Sequence, residues 1–225
     1  MHQGNSENFK RRSDLMKYAG LPMAMWVVFH KSFQRNLTEI LKYDGQESKK
    51  ITASAKRKYR EIIEKLPEFE KEDRFKMNIV NCAMLSAFFL NMPTLPSVED
   101  ATVYYEKTMM NGLVRWFCKR TGKNKYSEAD IQSMKNTARL RAGDRNPYSW
   151  NMEFYEYEDG SGYEARFTTC GICTLMKELG LTELIPAMCK FDYTMSEAGG
   201  VTNFVREYTL ASGGPYCDCG YKKKG

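Results

Sequence analysis

The chain of 225 residues has almost no histidine, only His2 and His30. A hydrolytic metal centre built on several imidazoles is thereby excluded, and a Cys–His catalytic pair would need His30 itself. His30 follows Phe29 in a helical stretch and reads as a packing or surface residue. Long apolar runs are lacking too. The longest, Leu21 to Phe29, has nine residues, whereas a bilayer-spanning helix needs about 20, so no membrane segment is expected. Met1-His2-Gln3-Gly4-Asn5 has no apolar stretch of the kind a secretory leader carries. The sequence contains no G-x-S-x-G, G-x-x-x-x-G-K-[ST] or G-x-G-x-x-G, so serine hydrolase, P-loop and Rossmann readings get no support. An odd cysteine count, seven, argues against a disulfide framework. A reducing, cytoplasmic location is expected, with the cysteines as thiols, nucleophiles or metal ligands.

What is present is ordinary globular composition: 42% hydrophobic and 28% charged residues, enough chain to bury a core. The net charge of +6 is unevenly placed. Tyr148 to Gly225 carries 7 basic and 11 acidic residues, leaving 27 basic and 17 acidic in the first 147. The bases there are interleaved with acids and accompany no nucleic-acid reader motif, so they read as solvated helix faces. Nucleic-acid binding, which would show as steep salt-dependent DNA retention, is the alternative.

The first two thirds of the chain read as helices. Trp26, Phe29, Phe33, Leu37, Ile40 and Leu41 have helical spacing, with Pro22 near the start and Asp44-Gly45 as the stop. Further helices are expected over Thr52–Leu66 and Asp73–Leu90. Ser97/Asp100 and Ser127/Asp130 have capping-box spacing. The first opens a long helix with the stripe Val98, Ala101, Tyr105, Met109 and Leu113. The second opens one carrying Ile131, Met134, Ala138 and Leu140 and stopping at Gly143. From Pro147 the pattern changes. Trp150 to Tyr155 and Tyr163 to Thr169 read as a hairpin across the 158–162 turn. Helices follow over Cys170–Leu179 and Thr182–Lys190, then strands over Asn203–Leu210 and Cys217–Lys222. The expected fold is α+β: a helical region, 1–146, followed by a small antiparallel ββααββ sheet with helices on one face, 147–225, forming one continuous domain.

Five of the seven cysteines lie after Thr169. Cys82 and Cys118 lie on apolar helix stripes and read as core. Cys170 and Cys173 form a C-x-x-C. If Thr169 caps the helix, both thiols sit in its first turn, where the dipole and free N–H groups favour a thiolate. Cys217-x-Cys219 would point two thiols the same way in a strand. Four such thiols suggest zinc or an iron–sulfur cluster, but the spacing matches no standard metal pattern, and no metal or other cofactor is expected. Glu183, Asp192 and Asp218 are the acid–base candidates. Arg206, in an apolar-flanked strand, needs a carboxylate partner, either an internal acid or a ligand.

These residues recur as a set. Cys170-Gly-Ile-Cys173, Lys177-Glu-Leu-Gly180, Cys189-Lys-Phe-Asp192, Arg206-Glu-Tyr-Thr209-Leu210 and Gly213/Gly214 before Cys217-Asp218 together resemble the L-2-amino-thiazoline-4-carboxylic acid hydrolase-like family. The resemblance extends from about Asp73 to Tyr221 and departs from the family at Cys219, where an aromatic is typical. It implies hydrolytic opening of a cyclic amidine or isothiourea at a C–N bond, on a small-molecule substrate and without a prosthetic group. The family's first cysteine corresponds to Cys170 or Cys173. Cys173, Cys189, Asp192, Cys217 and Asp218 are taken as the catalytic candidates, and Arg206 and Thr209 as the substrate-binding ones. The glycine turn before a strand cysteine is also similar to the four-vinyl-reductase type ligand-binding domain. The competing expectation is therefore a non-catalytic small-ligand or metal-binding sensor of similar fold.

Overall fold

A computed structural model describes residues 17–70 and 72–225; the amino-terminal segment Met1 to Asn5 lies outside them. The chain folds as two compact units, one ending at Pro96 and one from Ser97 to Gly225.

The first unit contains α1 (Leu21–Glu39), α2 (Gly45–Lys65) and α3 (Lys76–Phe89). Helix α1 ends at Glu39, before Asp44-Gly45. That pair starts α2 instead: the Asp44 carboxylate accepts the Gln46 and Glu47 N–H groups at 2.7 Å, which makes it an N-cap. Helix α2 therefore begins seven residues earlier than its apolar pattern indicates, and it ends before Pro67 as expected. Helix α3 is apolar on nearly all sides, and Ile79, Val80, Leu85, Phe88 and Phe89 are fully buried, as an inner helix requires. Phe33 stacks on Phe88 at 4.5 Å. Cys82 is fully enclosed. His30 stacks on Trp26, with Nδ1 2.8 Å from the Trp26 carbonyl oxygen.

The second unit begins with α4 (Val98–Met109), α5 (Gly112–Gly122) and α6 (Glu128–Arg141). Ser97 and Ser127 cap as expected, each accepting the N–H three residues on. The long helix expected from Ser97 is broken after Met109. The Asn111 side chain accepts the Val114 N–H at 3.0 Å and starts a new helix. The break rotates Leu113 out of the α4 stripe, leaving it 57% exposed, and Leu140 is likewise exposed rather than inward. Cys118 is buried.

The sheet is the expected antiparallel one. Strands β1 (Glu153–Glu156), β2 (Gly162–Phe167), β3 (Thr202–Val205) and β4 (Cys217–Lys223) lie in the order β1-β2-β4-β3. Between β2 and β3 run α7 (Gly171–Glu178) and α8 (Ile185–Gly199). Helix α8 is longer than expected because helical packing continues past Lys190: Phe191 meets Tyr105 edge-on at 5.1 Å, and Gly200 ends the helix in the left-handed region. Strand β3 ends at Val205, so Arg206 lies just beyond the strand rather than within it. Ala165 pairs with Cys219, Phe167 with Cys217, and Tyr163 with Tyr221. Because partners across a ladder share a face, these six side chains lie together. Tyr193 of α8 covers that face through Phe204, with ring centroids 4.7 Å apart. Among the described residues no helix is long and apolar enough to cross a membrane.

Candidate active site

The site is built where the start of α7, the inner side of α8 and the sheet face carrying Cys217 and Cys219 come together. Cys170, not Thr169, is the N-cap of α7. The Thr169 hydroxyl is taken by the Asn151 N–H at 2.8 Å, so the cap moves one residue on. Cys170 then occupies the N-cap position and Cys173 the third helical position, the two places whose side chains meet at a helix start. Gly171 between them is required: a Cβ there would stand 2.0 Å from the Tyr148 carbonyl oxygen. That close approach brings the 148–150 segment against α7, and buried Trp150 becomes a neighbour of the Cys170 sulfur.

The Cys170 thiol is shifted below its ordinary 9.0. The Cys173 thiol is the largest cause, and the N–H groups of Cys173 and Ile172 and the Trp150 indole add to it against the opposing effect of burial. Cys173 is shifted the other way, by its bond to Cys170, by burial, and by the charges of Cys170, Cys189 and Cys217. Burial pushes Cys189 up to about 12 and raises Cys217 and Cys219 as well. Cys170 is thus the member of the five that favours the anion. The mutual influence of Cys170, Cys189, Cys217, Asp192 and Arg206 places these groups within electrostatic reach of one another.

Arg206 organises the centre. Its Nε donates to the Asp218 carbonyl oxygen at 3.1 Å and Nη1 to the Cys189 carbonyl oxygen at 3.0 Å. Nη2 donates to Asp192 Oδ2 and Cys219 Sγ, both at 2.7 Å. The guanidinium side chain is 7% exposed and the Asp192 side chain 34%. Burial raises the Asp192 carboxyl from its ordinary value, while Arg206 pulls it back. A half-shielded carboxyl set beside a guanidinium in this way is a candidate for proton transfer.

The remaining candidates are placed differently. Strand alternation turns Asp218 to the face opposite Cys217 and Cys219. There its two carboxylate oxygens accept the Glu207 and Tyr208 N–H groups at 2.7 and 2.6 Å. Thr209 Oγ1 lies 2.7 Å from the Ser212 hydroxyl and accepts the Ser212 N–H, capping the short Leu210–Ser212 turn. The Cys217 sulfur accepts the Leu210 N–H at 3.2 Å. Glu183 is exposed in the turn before α8. Among the described residues no group of three or more His, Cys, Asp or Glu side chains is arranged to hold a metal ion. The C-x-x-C spacing points to Cys170 and Cys173 alike, and Cys173 is the one taken from the sequence as a catalytic candidate. No sequence signal points to Trp150 and Asn151, because their roles depend on contacts across the hairpin.

With this geometry defined, the class of protein is an α+β fold with a thiol, carboxylate and guanidinium centre. The model of the L-2-amino-thiazoline-4-carboxylic acid hydrolase family matches residues 98–221. That is more than half of the chain, and the chain belongs to this family. The match takes in every residue of the cluster. No curated protein and no solved structure matches the chain.

Proposed function

We propose that the protein is a hydrolase that opens a 2-amino-thiazoline-4-carboxylate-like ring at a C–N bond, with Cys170 as nucleophile and Asp192 as acid and base. The observation that supports this most is the placement of a thiol at the α7 N-terminus, facing a centre that also holds the Asp192–Arg206 pair. The helix N-terminus stabilises the thiolate without a histidine, which suits a chain that has almost none.

The ring carbon between sulfur and two nitrogens is the electrophile. The Cys170 thiolate adds to it, and Asp192, protonated, gives its proton to the ring nitrogen. The bond from that carbon to the ring nitrogen breaks, leaving the carbon attached to Cys170, to the substrate sulfur and to the exocyclic nitrogen. Asp192, now a carboxylate, takes a proton from water as the oxygen adds to the same carbon. Expulsion of the Cys170 thiolate leaves an S-carbamoylated cysteine and restores both groups; the net change is substrate plus one water. Cys173, held as a neutral thiol, hydrogen-bonds the thiolate. Cys189 and Cys217 line the same space as neutral thiols. With four N–H groups of Arg206 on protein acceptors, one Nη1 N–H is left for a substrate carboxylate. Its main part is to position Asp192. Asp218 and Thr209 act as positioning residues by shaping the 206–217 loop.

The test is ring opening of L-2-amino-thiazoline-4-carboxylate by reduced protein. Turnover that falls at least ~10³-fold in Cys170→Ser and ~10²-fold or more in Asp192→Asn is expected. Absence of turnover by the wild-type protein contradicts the reading.

A further inference from the structure

Five thiols gather in one region, and two of them, Cys170 and Cys173, act directly on each other. Cys170 and Cys173 are both free and both partly accessible. They occupy the N-cap and third positions of α7, the two places whose side chains lean toward each other at a helix start, and the Cys173 thiol is the largest influence on the Cys170 thiol, so the two sulfurs are neighbours. The other thiols are engaged differently: burial raises the Cys189 thiol on α8. Cys219 is bound by Arg206, Cys217 accepts the Leu210 N–H, and Cys82 and Cys118 are buried in helical packing.

We propose that Cys170 and Cys173 form a peroxide-reactive dithiol, in which Cys170 is oxidised first and Cys173 closes a disulfide on it. The Cys170 thiolate attacks one oxygen of a hydroperoxide such as hydrogen peroxide. The O–O bond breaks, and Cys170 becomes a sulfenic acid while hydroxide leaves. The Cys173 sulfur then attacks the Cys170 sulfur, its proton passing to the departing hydroxyl, which leaves as water. In total, two thiols are oxidised by two electrons and one peroxide is reduced to two waters. A low-molecular-weight thiol reverses the change by thiol–disulfide exchange. The division of labour follows from the environment. Cys170 has the helix N–H groups and the Trp150 indole beside it, whereas Cys173 keeps its proton, so attack and resolution fall to different sulfurs. If Cys170 is also the hydrolytic nucleophile, oxidation stops ring opening. That consequence rests on the reading above, while disulfide formation does not.

The experiment treats reduced, full-length protein with about one equivalent of hydrogen peroxide and maps the products. Residues 167–177 form a single tryptic peptide that holds both sulfurs. That peptide is expected to become lighter by two hydrogens, with loss of two of the seven titratable thiols and full recovery in dithiothreitol. In Cys173→Ser, dimedone is expected to label Cys170 instead. In Cys170→Ser, the 167–177 peptide is expected to stay reduced at that dose. Loss of thiols elsewhere with the 167–177 peptide unchanged, or an equal response of Cys170→Ser and wild type, overturns the proposal. Ring opening is assayed on the same samples. Disulfide formation in a protein with no hydrolytic turnover supports the dithiol and contradicts the hydrolase. Turnover in a protein whose 167–177 peptide resists peroxide does the reverse.

Discussion

At the scale of single residues, two neighbouring thiols are shifted in opposite directions, and one guanidinium gathers the acceptors beside them. Cys170 loses its proton below the ordinary 9.0 in the folded protein. Between its folded value and 9.0, the unfolded chain carries a proton that the folded chain has shed. Its stabilisation is therefore complete above 9.0 and is lost as pH falls through the folded value. The stability difference between wild type and Cys170→Ser, measured by denaturant unfolding, is expected to grow with rising pH across that window; a pH-independent difference contradicts the shift. Arg206 gives a second prediction. Replacing it with Met leaves the Asp192 carboxylate and two carbonyl oxygens without their donor. Removing one member of a buried pair costs ~3–5 kcal/mol, and the partial exposure of Asp192 puts this case near ~3. Adding Asp192→Asn is expected to recover part of that loss in a double-mutant cycle, and simple additivity would show the pair to be uncoupled.

At the scale of elements, the start of α7 and the loop between β3 and β4 fix the chemistry. Gly171→Ala would place a methyl group on the Tyr148 carbonyl, a backbone atom that cannot step aside. Helix α7 and the 148–150 segment must separate, at an overpacking cost of ~1–3 kcal/mol. The fluorescence of Trp150 is expected to change and the reactivity of Cys170 toward alkylation to fall; an unaltered alkylation rate argues against the helix start as the source of activation. Asp218→Asn weakens a carboxylate that holds two N–H groups, at ~1–3 kcal/mol. Faster amide exchange at Glu207 and Tyr208 identifies it as a loop clamp. Lost turnover with unchanged exchange would instead make it a participant in the reaction. The alternation that puts Cys217 and Cys219 on one face was legible in the sequence, and it already sends Asp218 to the other. The cap of α7 was not legible. Thr169 is the better cap by residue type, and its hydroxyl is claimed by a backbone N–H from 18 residues earlier. Asp44 and Asn111 show the same limit. Each suits a turn or a cap, and only the surrounding packing decides whether it ends one helix or starts the next.

At the scale of the whole molecule, the α+β order, the antiparallel hairpins and the membership in a hydrolase family were readable because they rest on patterns repeated over many residues. The strands alternate, and the helices carry apolar stripes and end at glycine or before proline. The C-terminal motifs are short and closely spaced. The convergence of the start of α7, α8 and β4 was readable only in outline, since it depends on the strand order β1-β2-β4-β3, which brings β4 between β2 and β3 and sets Cys217 and Cys219 opposite Phe167 and Ala165. The central claim is that a thiolate at the start of α7 attacks the ring carbon. Mass analysis of protein quenched during turnover of L-2-amino-thiazoline-4-carboxylate tests it most directly. A substrate-derived adduct is expected on Cys170 within the 167–177 peptide, absent in Cys170→Ser. Full turnover by Cys170→Ser, or an adduct confined to Cys189 or Cys217, would contradict it.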